Sequence, residues 1–468
     1  MKLGQILENT SATILHGTPG TEISSICSDS RKACPGALFI AVKGNALDGH
    51  DYIDAALKAG ADAVVDADRL ALALIADNFY GHPSSDLRLV GITGTNGKTT
   101  TVTLLYHLFK NLGYECGLLS TIANYVGDRR FETANTTSDP ITINSLLSEM
   151  VAAGCEYCFM EVSSIGLEQE RVAGLKFAVA LFSNLTHDHL DYHGTFAEYL
   201  RCKKLFFDHL DKDAVAIINT DDRNGSVMVQ NCAARKVTYS CRSIADHSAR
   251  IMEESMEGML LRIDGQEVWT RLIGEHNAYN ILAIYCAAVE LGATTEEVLL
   301  GISKLESAPG RLESLRGPRD LTVVIDYAHT PDAMANVLKT LREIEPSRTL
   351  VCLFGCGGDR DKTKRPEMAA IAEQGADRLI ITSDNSRTED PQAILNDIRA
   401  GLSPAGVGRS LFITDRREAI RTAILTSPAG STILLAGKGH ENYQIDATGK
   451  HPFVEKDIVL ETFKTITD

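Results

Sequence analysis

The stretch of residues 89–100 constrains the fold more than any other part of the chain, because it reads Leu-Val-Gly-Ile-Thr-Gly-Thr-Asn-Gly-Lys-Thr-Thr. An apolar strand pattern runs into a glycine-rich turn, and leucines at helical spacing follow it as far as Gly113. Gly94 and Gly97 let successive backbone N–H groups converge on an anion, and the following helix N-terminus adds the positive end of its dipole. The sequence therefore predicts a strand, turn and helix that together bind the phosphates of a nucleotide.

This turn is a shortened variant, because the position where the common phosphate-binding loop has its first glycine is Ile92. Lys98 is placed to reach the outer phosphates, and the hydroxyl of Thr99 is placed to ligate Mg²⁺. A chance Gly-Lys-Thr in a surface turn is the alternative, but the strand before it and the helix after it favour a phosphate site. The predicted cradle consists of Gly94, Thr95, Asn96, Gly97, Lys98, Thr99 and Thr100.

Length and charge narrow the classes of protein and partner. A chain of 468 residues is too long for one ordinary core, and its length predicts about three domains. The formal net charge of -16 argues against a general binder of nucleic acid or anionic membranes. The first residues lack the apolar core of a signal peptide, and no later run is apolar enough to span a bilayer. We therefore expect a cytoplasmic protein.

Strand and helix patterns alternate along most of the chain, which predicts two open, mainly parallel α/β sheets after a small mixed first segment of about 87 residues. In such sheets, ligands bind beyond the carboxyl ends of the strands. Polar or glycine-rich residues follow these strands, as the rule requires. The short apolar runs that predict buried strands are 157–160, 178–182, 214–218, 321–325, 350–354, 378–382 and 432–436.

Candidate metal ligands follow the predicted strands of the first sheet. Glu161 stands at a strand end, and residues 186–194 form an acidic, histidine-rich loop. Mg²⁺ prefers oxygen ligands in near-octahedral geometry, so we expect at most one histidine to join several oxygens there. A zinc site is less consistent with the residues, because no histidine pair has a glutamate at protease spacing. A solvated loop is the remaining alternative.

Several motifs, in the expected order along essentially the whole chain, resemble those of the Mur ligases, ATP-dependent enzymes that add amino acids to peptidoglycan precursors. The resemblance implies an α/β fold of three domains. These are a small N-terminal α/β domain (1–87) for a UDP-sugar, a central P-loop-type ATPase domain (88–306) with a mainly parallel sheet, and a C-terminal Rossmann-like α/β domain (307–468) for the amino acid. The matching motifs lie at 94–99, 161–164, 184–194, Tyr199 with Lys203, 274–280, 309–313 and 326–331.

The same resemblance implies catalytic roles for Lys98, Lys203 and His189, with ATP and two Mg²⁺ ions as cofactors. It implies that Lys98 contacts the transferred phosphoryl group, that Thr99 binds one Mg²⁺, and that Glu161 and His189 bind the other. It further implies that CO₂ carbamylates Lys203, which turns a cationic amine into a carboxylate-like oxygen donor at the metal site. An ordinary helix lysine is the alternative for Lys203. The matching nucleotide contacts are Asn280 for the adenine, Asp326 for the ribose and Arg311 near the phosphates.

Residues 355–366 and 384–387 resemble the family members that extend UDP-N-acetylmuramoyl-L-alanyl-D-glutamate by a third residue. A guanidinium grips a carboxylate bidentately, so Arg387 suits meso-diaminopimelate rather than lysine, while Glu441 holds its amine. The departures from the family pattern are Ile165, His276 and Ser386, of which Ser386 replaces a proline. Further positions matching the amino-acid site are Asp384, Asn385 and Gly437, and those matching the UDP-sugar peptide site are Ser28, Ser30, His50, Thr136, Thr137, Ser163, Gln169 and Arg171.

The implied reaction phosphorylates the γ-carboxylate of the bound D-glutamate with ATP, after which the amine of diaminopimelate attacks the acyl phosphate. We expect a monomer that has neither nucleic acid nor membrane as a partner. A folylpolyglutamate synthetase is one alternative, since it shares the cradle and the acyl-phosphate logic. A non-catalytic, nucleotide-gated interaction protein is the other, and it would need a defective metal set.

Overall fold

The computed structural model describes residues 1–44, 47–186 and 190–466. It divides into two compact units, one formed by residues 1–249 with 279–301 and the other by residues 250–278 with 302–468. No helix of the described part is both long and apolar enough to cross a bilayer. The predicted boundaries at residues 87 and 306 stay a prediction.

Strands and helices alternate through both units. The strands are β1 (Thr13–His16), β2 (Ser25–Cys27), β3 (Ala37–Ala41), β4 (Ala63–Asp66), β5 (Arg88–Thr93), β6 (Cys116–Leu119), β7 (Asn124–Val126), β8 (Arg129–Phe131), β9 (Tyr157–Glu161), β10 (Phe177–Phe182), β11 (Val215–Asn219), β12 (Arg235–Ser240), β13 (His247–Ser255), β14 (Gly258–Ile263), β15 (Gln266–Thr270), β16 (Glu313–Arg316), β17 (Thr322–Asp326), β18 (Leu350–Phe354), β19 (Arg378–Thr382), β20 (Ser410–Ile413), β21 (Thr432–Ala436), β22 (Tyr443–Asp446) and β23 (Gly449–Pro452). The α-helices are α1 (Leu3–Ile6), α2 (Ile53–Lys58), α3 (Arg69–Phe79), α4 (Lys98–Asn111), α5 (Pro140–Ala152), α6 (Ser164–Glu168), α7 (Leu190–His193), α8 (Phe196–Asp208), α9 (Gly225–Met228), α10 (Glu275–Glu290), α11 (Thr295–Ile302), α12 (Pro331–Ile344), α13 (Lys364–Gly375), α14 (Pro391–Arg399), α15 (Pro404–Gly408), α16 (Arg416–Thr426) and α17 (Glu455–Phe463).

The first residues of the chain form a four-stranded sheet in the order β1-β4-β3-β2, in which β4, β3 and β2 are parallel. Strand β3 is buried along its whole length, from Ala37 to Ala41, as its apolar sequence requires. Because β2 and β4 run in the same direction, their carboxyl ends lie at one edge of this sheet. Ser28 follows β2, and Asp66 closes β4 at that edge.

The central sheet of the first unit contains the parallel strands β12-β11-β10-β5-β9-β6, with β7 and β8 added antiparallel at one edge. Strand β9 is buried on both faces. Its rings Tyr157 and Phe159 contact Phe109 of α4, with centroids 4.5 and 5.2 Å away. Its alternate residues join the core cluster that contains Phe206 of α8. Helices therefore cover both faces, as a buried parallel sheet requires.

The second unit contains the sheet β16-β17-β21-β18-β19-β20. Strands β17, β21, β18, β19 and β20 are parallel to one another, and β16 pairs antiparallel with β17. Side chains of β18 alternate between two core clusters. Cys352 packs with helices α12, α13 and α14, whereas Val351 and Leu353 pack with α16 and α17. This is the doubly wound arrangement that the apolar runs predicted, and each predicted strand lies within one residue of an observed one.

A buried ion pair joins helices α16 and α17 beneath this sheet. The side chains of Arg416 and Glu455 are both at most 1% exposed, and Nε of the arginine lies 2.8 Å from Oε1 of the glutamate. The same guanidinium donates to the carbonyl oxygens of Ser383 and Ala436, which directly follow or end strands β19 and β21. Arg416 thereby ties the carboxyl ends of two strands to the last helix of the fold.

Candidate active site

The glycine-rich turn lies where β5 ends and α4 begins, and its two glycines occupy conformations that side chains rarely adopt. Gly94 has a φ of +152°, and a Cβ there would lie 1.9 Å from the Ser183 hydroxyl. Gly97 has a φ of +88°, and a Cβ there would lie 2.4 Å from Oδ1 of Asn280. The turn thus has a backbone that only glycine adopts readily at these two positions, and Asn280 of α10 lies directly beside it.

Two lysines converge on one carbonyl of this turn. Nζ of Lys98 donates to the carbonyl oxygens of Gly94 and Thr95, each at 2.9 Å. Nζ of Lys203, from α8, donates to the same Gly94 oxygen at 2.7 Å and lies over the ring of Tyr199. Lys203 is 1% exposed. Lys203 is therefore a buried lysine of α8 whose charged end lies at the glycine-rich turn.

Glu161 ends β9 beside the start of α4 and is 1% exposed. Its Oε2 accepts the Thr99 hydroxyl at 3.0 Å, and its Oε1 accepts the backbone N–H of Thr121 at 2.8 Å. A hydroxyl and a carboxylate, both hard oxygen donors, thus lie together at the cradle. Mg²⁺ prefers such oxygen ligands, so Thr99 and Glu161 are the residues that would hold it here.

The histidine expected at the metal site, His189, lies outside the described residues. Among those that are described, no group of three or more His, Cys, Asp and Glu side chains could hold a metal ion. His193, from the same loop, is buried and shares a hydrogen bond of 2.9 Å with the Ser164 hydroxyl. His193 thus has a structural partner, which the density of histidines in the sequence did not reveal.

The positions expected to bind the peptide form a hydrogen-bonded series next to Glu161. The Thr137 hydroxyl donates to the Glu161 carbonyl oxygen, and the backbone N–H of Ser163 donates to that hydroxyl. Arg171 donates to the Thr137 carbonyl oxygen and, through two nitrogens, to the Gln169 side chain. Burial lowers the pKa of the Arg171 guanidinium, which nonetheless remains a cation. Thr136, which is also expected to bind the peptide, belongs to the same series. Its hydroxyl accepts the Thr121 hydroxyl, and the backbone N–H of Thr121 donates to Glu161.

The remaining predicted sugar-site residues lie on the small first sheet. Ser28 is exposed, and Ser30 begins a short 3₁₀ turn. His50 lies 2.5 Å from Asp48 and 2.9 Å from Asp66, and hydrogen bonds to Asp48 and then Asp66 raise its pKa. These three residues thus share the edge at which the parallel strands of that sheet end.

In the second unit, Asp326 ends β17 and accepts the backbone N–H groups of Leu312 and Ala328, each at 2.8 Å. Burial raises its pKa, although the charge of Arg311 acts in the opposite direction. The Arg311 guanidinium lies over the Tyr327 ring, 4.8 Å from its centroid. Arg311 and Asp326, the two nucleotide contacts expected in this part of the chain, are thus neighbours.

The predicted amino-acid residues gather at the carboxyl ends of β19 and β21. Nδ2 of Asn385 donates to Oε2 of Glu441 at 2.8 Å, and a Cβ on Gly437 would lie 2.9 Å from Oδ2 of Asp384. Burial acts to raise the pKa of Asp384, but the Lys438 ammonium and then Arg416 outweigh it and the pKa is lowered. Lys438, which no sequence motif indicates, contacts Asp384, Asn385 and Glu441 of this group.

Arg387 is half-buried and has a φ of +52°. Its Nη1 donates to the carbonyl oxygens of Gly358 and Asn385, at 2.8 and 3.3 Å. Arg365 and Arg416 each form ion pairs with carboxylates, whereas no carboxylate in the described parts of the chain lies within ion-pair distance of Arg387. This guanidinium is therefore suited to an anion that is not part of the protein.

Models of known families match three successive parts of the chain. They are the "Mur ligase family, catalytic domain" at residues 22–84, the "Mur ligase middle domain" at 92–288, and the "Mur ligase, glutamate ligase domain" at 310–439. The chain belongs to the Mur ligase family. These matches, with the two sheets described above, confirm the predicted three-domain α/β fold class.

Individual Mur ligases are similar to this chain over its whole length. The UDP-N-acetylmuramoyl-L-alanyl-D-glutamate–2,6-diaminopimelate ligase of Cytophaga hutchinsonii is 47% identical over 484 residues, covering 100% of both chains. The enzyme of the same name from Phocaeicola vulgatus is 48% identical over 482 residues, covering 99% of both. A solved structure with that enzyme name is 32% identical, covers 99% of both chains and superimposes with a TM-score of 0.70.

Proposed function

We propose that this protein is an ATP-dependent amide-bond ligase that joins meso-diaminopimelate to the D-glutamate γ-carboxylate of UDP-N-acetylmuramoyl-L-alanyl-D-glutamate. The observation that carries the proposal is its 47% identity, over the full length of both chains, to a relative named for that substrate and amino acid. The buried pairing of Thr99 with Glu161 at the cradle supports an intact nucleotide site. It disfavours the alternative of a nucleotide-gated interaction protein with a defective metal set.

In the proposed reaction, a γ-carboxylate oxygen attacks the terminal phosphorus of ATP, and ADP leaves. The amine of diaminopimelate then attacks the acyl carbon and loses a proton, and phosphate leaves as the amide bond forms. Lys98 places its ammonium at the cradle, where it neutralises charge on the transferred group. Bound Mg²⁺ would neutralise further phosphate charge, and Thr99 and Glu161 are the residues that would hold it.

We propose that Lys203 acts as a carbamate. Its neutral amine attacks the carbon of CO₂, a C–N bond forms and a proton leaves to solvent. A carbamate nitrogen keeps one N–H, so the observed donation to the Gly94 carbonyl oxygen is compatible with the modified side chain. The change replaces a positive charge with a negative one beside a site that binds cations. His189 is proposed as a further metal ligand on the family resemblance alone.

Each matched part of the chain has its own proposed ligand. The three family matches support divisions near residues 87 and 306. We assign the UDP-sugar peptide to Ser28, Ser30 and His50 together with the hydrogen-bonded series around Arg171. The amino acid is assigned to Arg387, which holds its distal carboxylate, and to Glu441, which holds its amine.

The test is release of ADP by the full chain with Mg²⁺, ATP and UDP-N-acetylmuramoyl-L-alanyl-D-glutamate, with diaminopimelate, lysine and glutamate supplied in parallel. We expect release that depends on both the sugar peptide and diaminopimelate. A parallel assay replaces the sugar peptide with a folate acceptor, and release there that depends on glutamate would instead indicate a folylpolyglutamate synthetase. Absence of release with every amino acid would overturn the proposal.

Replacing Arg387 with methionine is expected to raise the KM for diaminopimelate about 10- to 100-fold, because charged hydrogen bonds to its distal carboxylate are lost. The KM for lysine, which has no such carboxylate, should change little, so the preference between the two amino acids narrows. Steady-state kinetics with each amino acid at saturating ATP measures both values.

The control is Arg421→Met, which removes an exposed arginine of the same unit that pairs only with Glu418 on its own helix. Its amino-acid preference should equal that of the unmodified protein. An unchanged diaminopimelate KM in Arg387→Met would assign the distal carboxylate to another residue.

A further inference from the structure

Lys438 is the only residue of the 437–441 turn whose charged end is fully enclosed, with 0% exposure. Its Nζ donates to the carbonyl oxygen of Tyr443 at 2.8 Å, to Oδ1 of Asn385 at 3.1 Å and to Oε2 of Glu441 at 3.2 Å. It also lies 3.5 Å from Oδ1 of Asp384. Four oxygens, from residues 384–385 and 441–443, thus surround one ammonium group.

The amide of Asn385 is oriented by these contacts. Its Oδ1 accepts both Nζ of Lys438 and the backbone N–H of Ile445, at 3.1 and 2.9 Å. Its Nδ2 therefore points the other way and donates to Oε2 of Glu441 at 2.8 Å. Because an ammonium only donates and a carboxylate only accepts, each side of the amide faces a group of the required kind.

The carboxylate of Glu441 is held in the same way. Its Oε2 accepts from both Asn385 and Lys438, so rotation of the carboxylate would break two hydrogen bonds at once. The positive charge of Lys438 also stabilises this group. Asp384 and Glu441 are two carboxylates beyond the carboxyl ends of β19 and β21, and the Lys438 ammonium lies between them. Without that cation, the two negative charges would repel each other in a poorly solvated place.

We propose that Lys438 is a positioning residue that, together with Asn385, holds the Glu441 carboxylate in the orientation that receives the ammonium group of the incoming amino acid. The inference rests on the proposed function and deepens it. With Oε2 taken by Lys438 and Asn385, the other carboxylate oxygen of Glu441 carries the contact to the substrate. Lys438 itself does not touch the substrate in this assignment, and acts through its two neighbours.

The experiment compares Lys438→Met with Lys450→Met in the full chain. Methionine keeps much of the length of the lysine but removes its charge. Lys450 is a matched control, since it is exposed and lies over the ring of Tyr443, the residue whose carbonyl oxygen accepts from Lys438, 3.9 Å from the ring centroid. Initial rates of ADP release are measured while diaminopimelate, ATP and the UDP-sugar peptide are varied in turn.

We expect Lys438→Met to raise the KM for diaminopimelate at least about tenfold, since the charged contacts that hold Glu441 are lost. The KM values for ATP and for the UDP-sugar peptide should stay within about twofold, because those ligands are assigned to other residues. Lys450→Met should leave all three values unchanged. A purely structural lysine would instead lower thermal stability and the fraction of active protein without a selective change in one KM.

The inference is overturned if the folded Lys438→Met protein has an unchanged KM for diaminopimelate, or if all three KM values rise together. Should that variant fail to fold, Lys438→Gln decides, because glutamine still donates to Glu441 without the charge. A selective rise of about threefold or more supports the inference, and equal changes in all three KM values overturn it. Failure of the proposed function is separate, because the unmodified protein would then show no diaminopimelate-dependent release at all.

Discussion

Replacing Lys98 with methionine is expected to lower kcat for ADP release about 10³-fold, the size of effect seen when a group that neutralises transition-state charge is removed. The ammonium lies on the loop itself, hydrogen-bonded to the Gly94 and Thr95 carbonyl oxygens. The Lys98 ammonium therefore lies inside the cradle, where the terminal phosphate of ATP would bind. Rates at saturating substrates and Mg²⁺ give the loss directly, and the KM for the UDP-sugar peptide should change far less than kcat.

Lys110→Met is the control for this prediction. Lys110 lies in the last turn of the same helix, α4, where it pairs with Glu115 and Asp128. Its loss removes a lysine from the helix without touching the loop, and we expect full activity. A kcat for Lys98→Met within about tenfold of that control would be too small a loss for a group that stabilises transferred phosphate, and would contradict the assignment.

Replacing Glu161 with glutamine is expected to lower kcat about 10²- to 10³-fold and to raise the Mg²⁺ concentration that gives half-maximal rate. The carboxylate is a hard oxygen donor beside the Thr99 hydroxyl, whereas an amide carries no charge to attract a divalent cation. In the original protein, the Thr121 backbone N–H and the Thr99 hydroxyl both donate to the Glu161 carboxylate. The glutamine amide would place its own N–H donors against one of these two donors, so a hydrogen bond would be lost. Some loss of stability, about 1–3 kcal/mol, should accompany the kinetic effect.

Two controls separate metal binding from folding. Glu149→Gln removes an exposed carboxylate of α5 that pairs with Arg129, and should leave the Mg²⁺ dependence unchanged. Thermal unfolding of Glu161→Gln, monitored by circular dichroism, shows whether the protein remains folded at the assay temperature. A folded Glu161→Gln protein with an unaltered Mg²⁺ requirement would exclude this residue from the metal site.

The sequence predicts best those strands whose apolar residue pattern matches their burial in the folded protein. Buried parallel strands are continuous apolar runs, so the strand at 157–160 was identified to within one residue as β9. Polar residues after such strands indicate the candidate site, since strand direction places them at one edge of the sheet. Both Glu161 and Asp326 follow from this rule and lie where it puts them.

The contacts between distant segments were beyond the reach of the sequence. That Lys98 and Lys203 share the Gly94 carbonyl oxygen depends on how α8 packs over β5, where Phe206 lies against Gly91. No local pattern specifies that packing. No sequence motif indicates Lys438 either. Lysine is rarely fully buried, and only the tertiary structure reveals the oxygens that compensate its charge.

The ion pair of Arg416 with Glu455 connects the last helix of the chain to the proposed amino-acid site. Shortening the protein before α17, where no motif lies, would remove both the Glu455 partner of the Arg416 guanidinium and the α17 side chains that pack in the same core. The same guanidinium holds the carbonyl oxygens of Ser383 and Ala436, which immediately precede Asp384 and Gly437. Truncation of α17 would thus loosen the two loops that carry Asp384 and Gly437, the residues proposed to bind the amino acid.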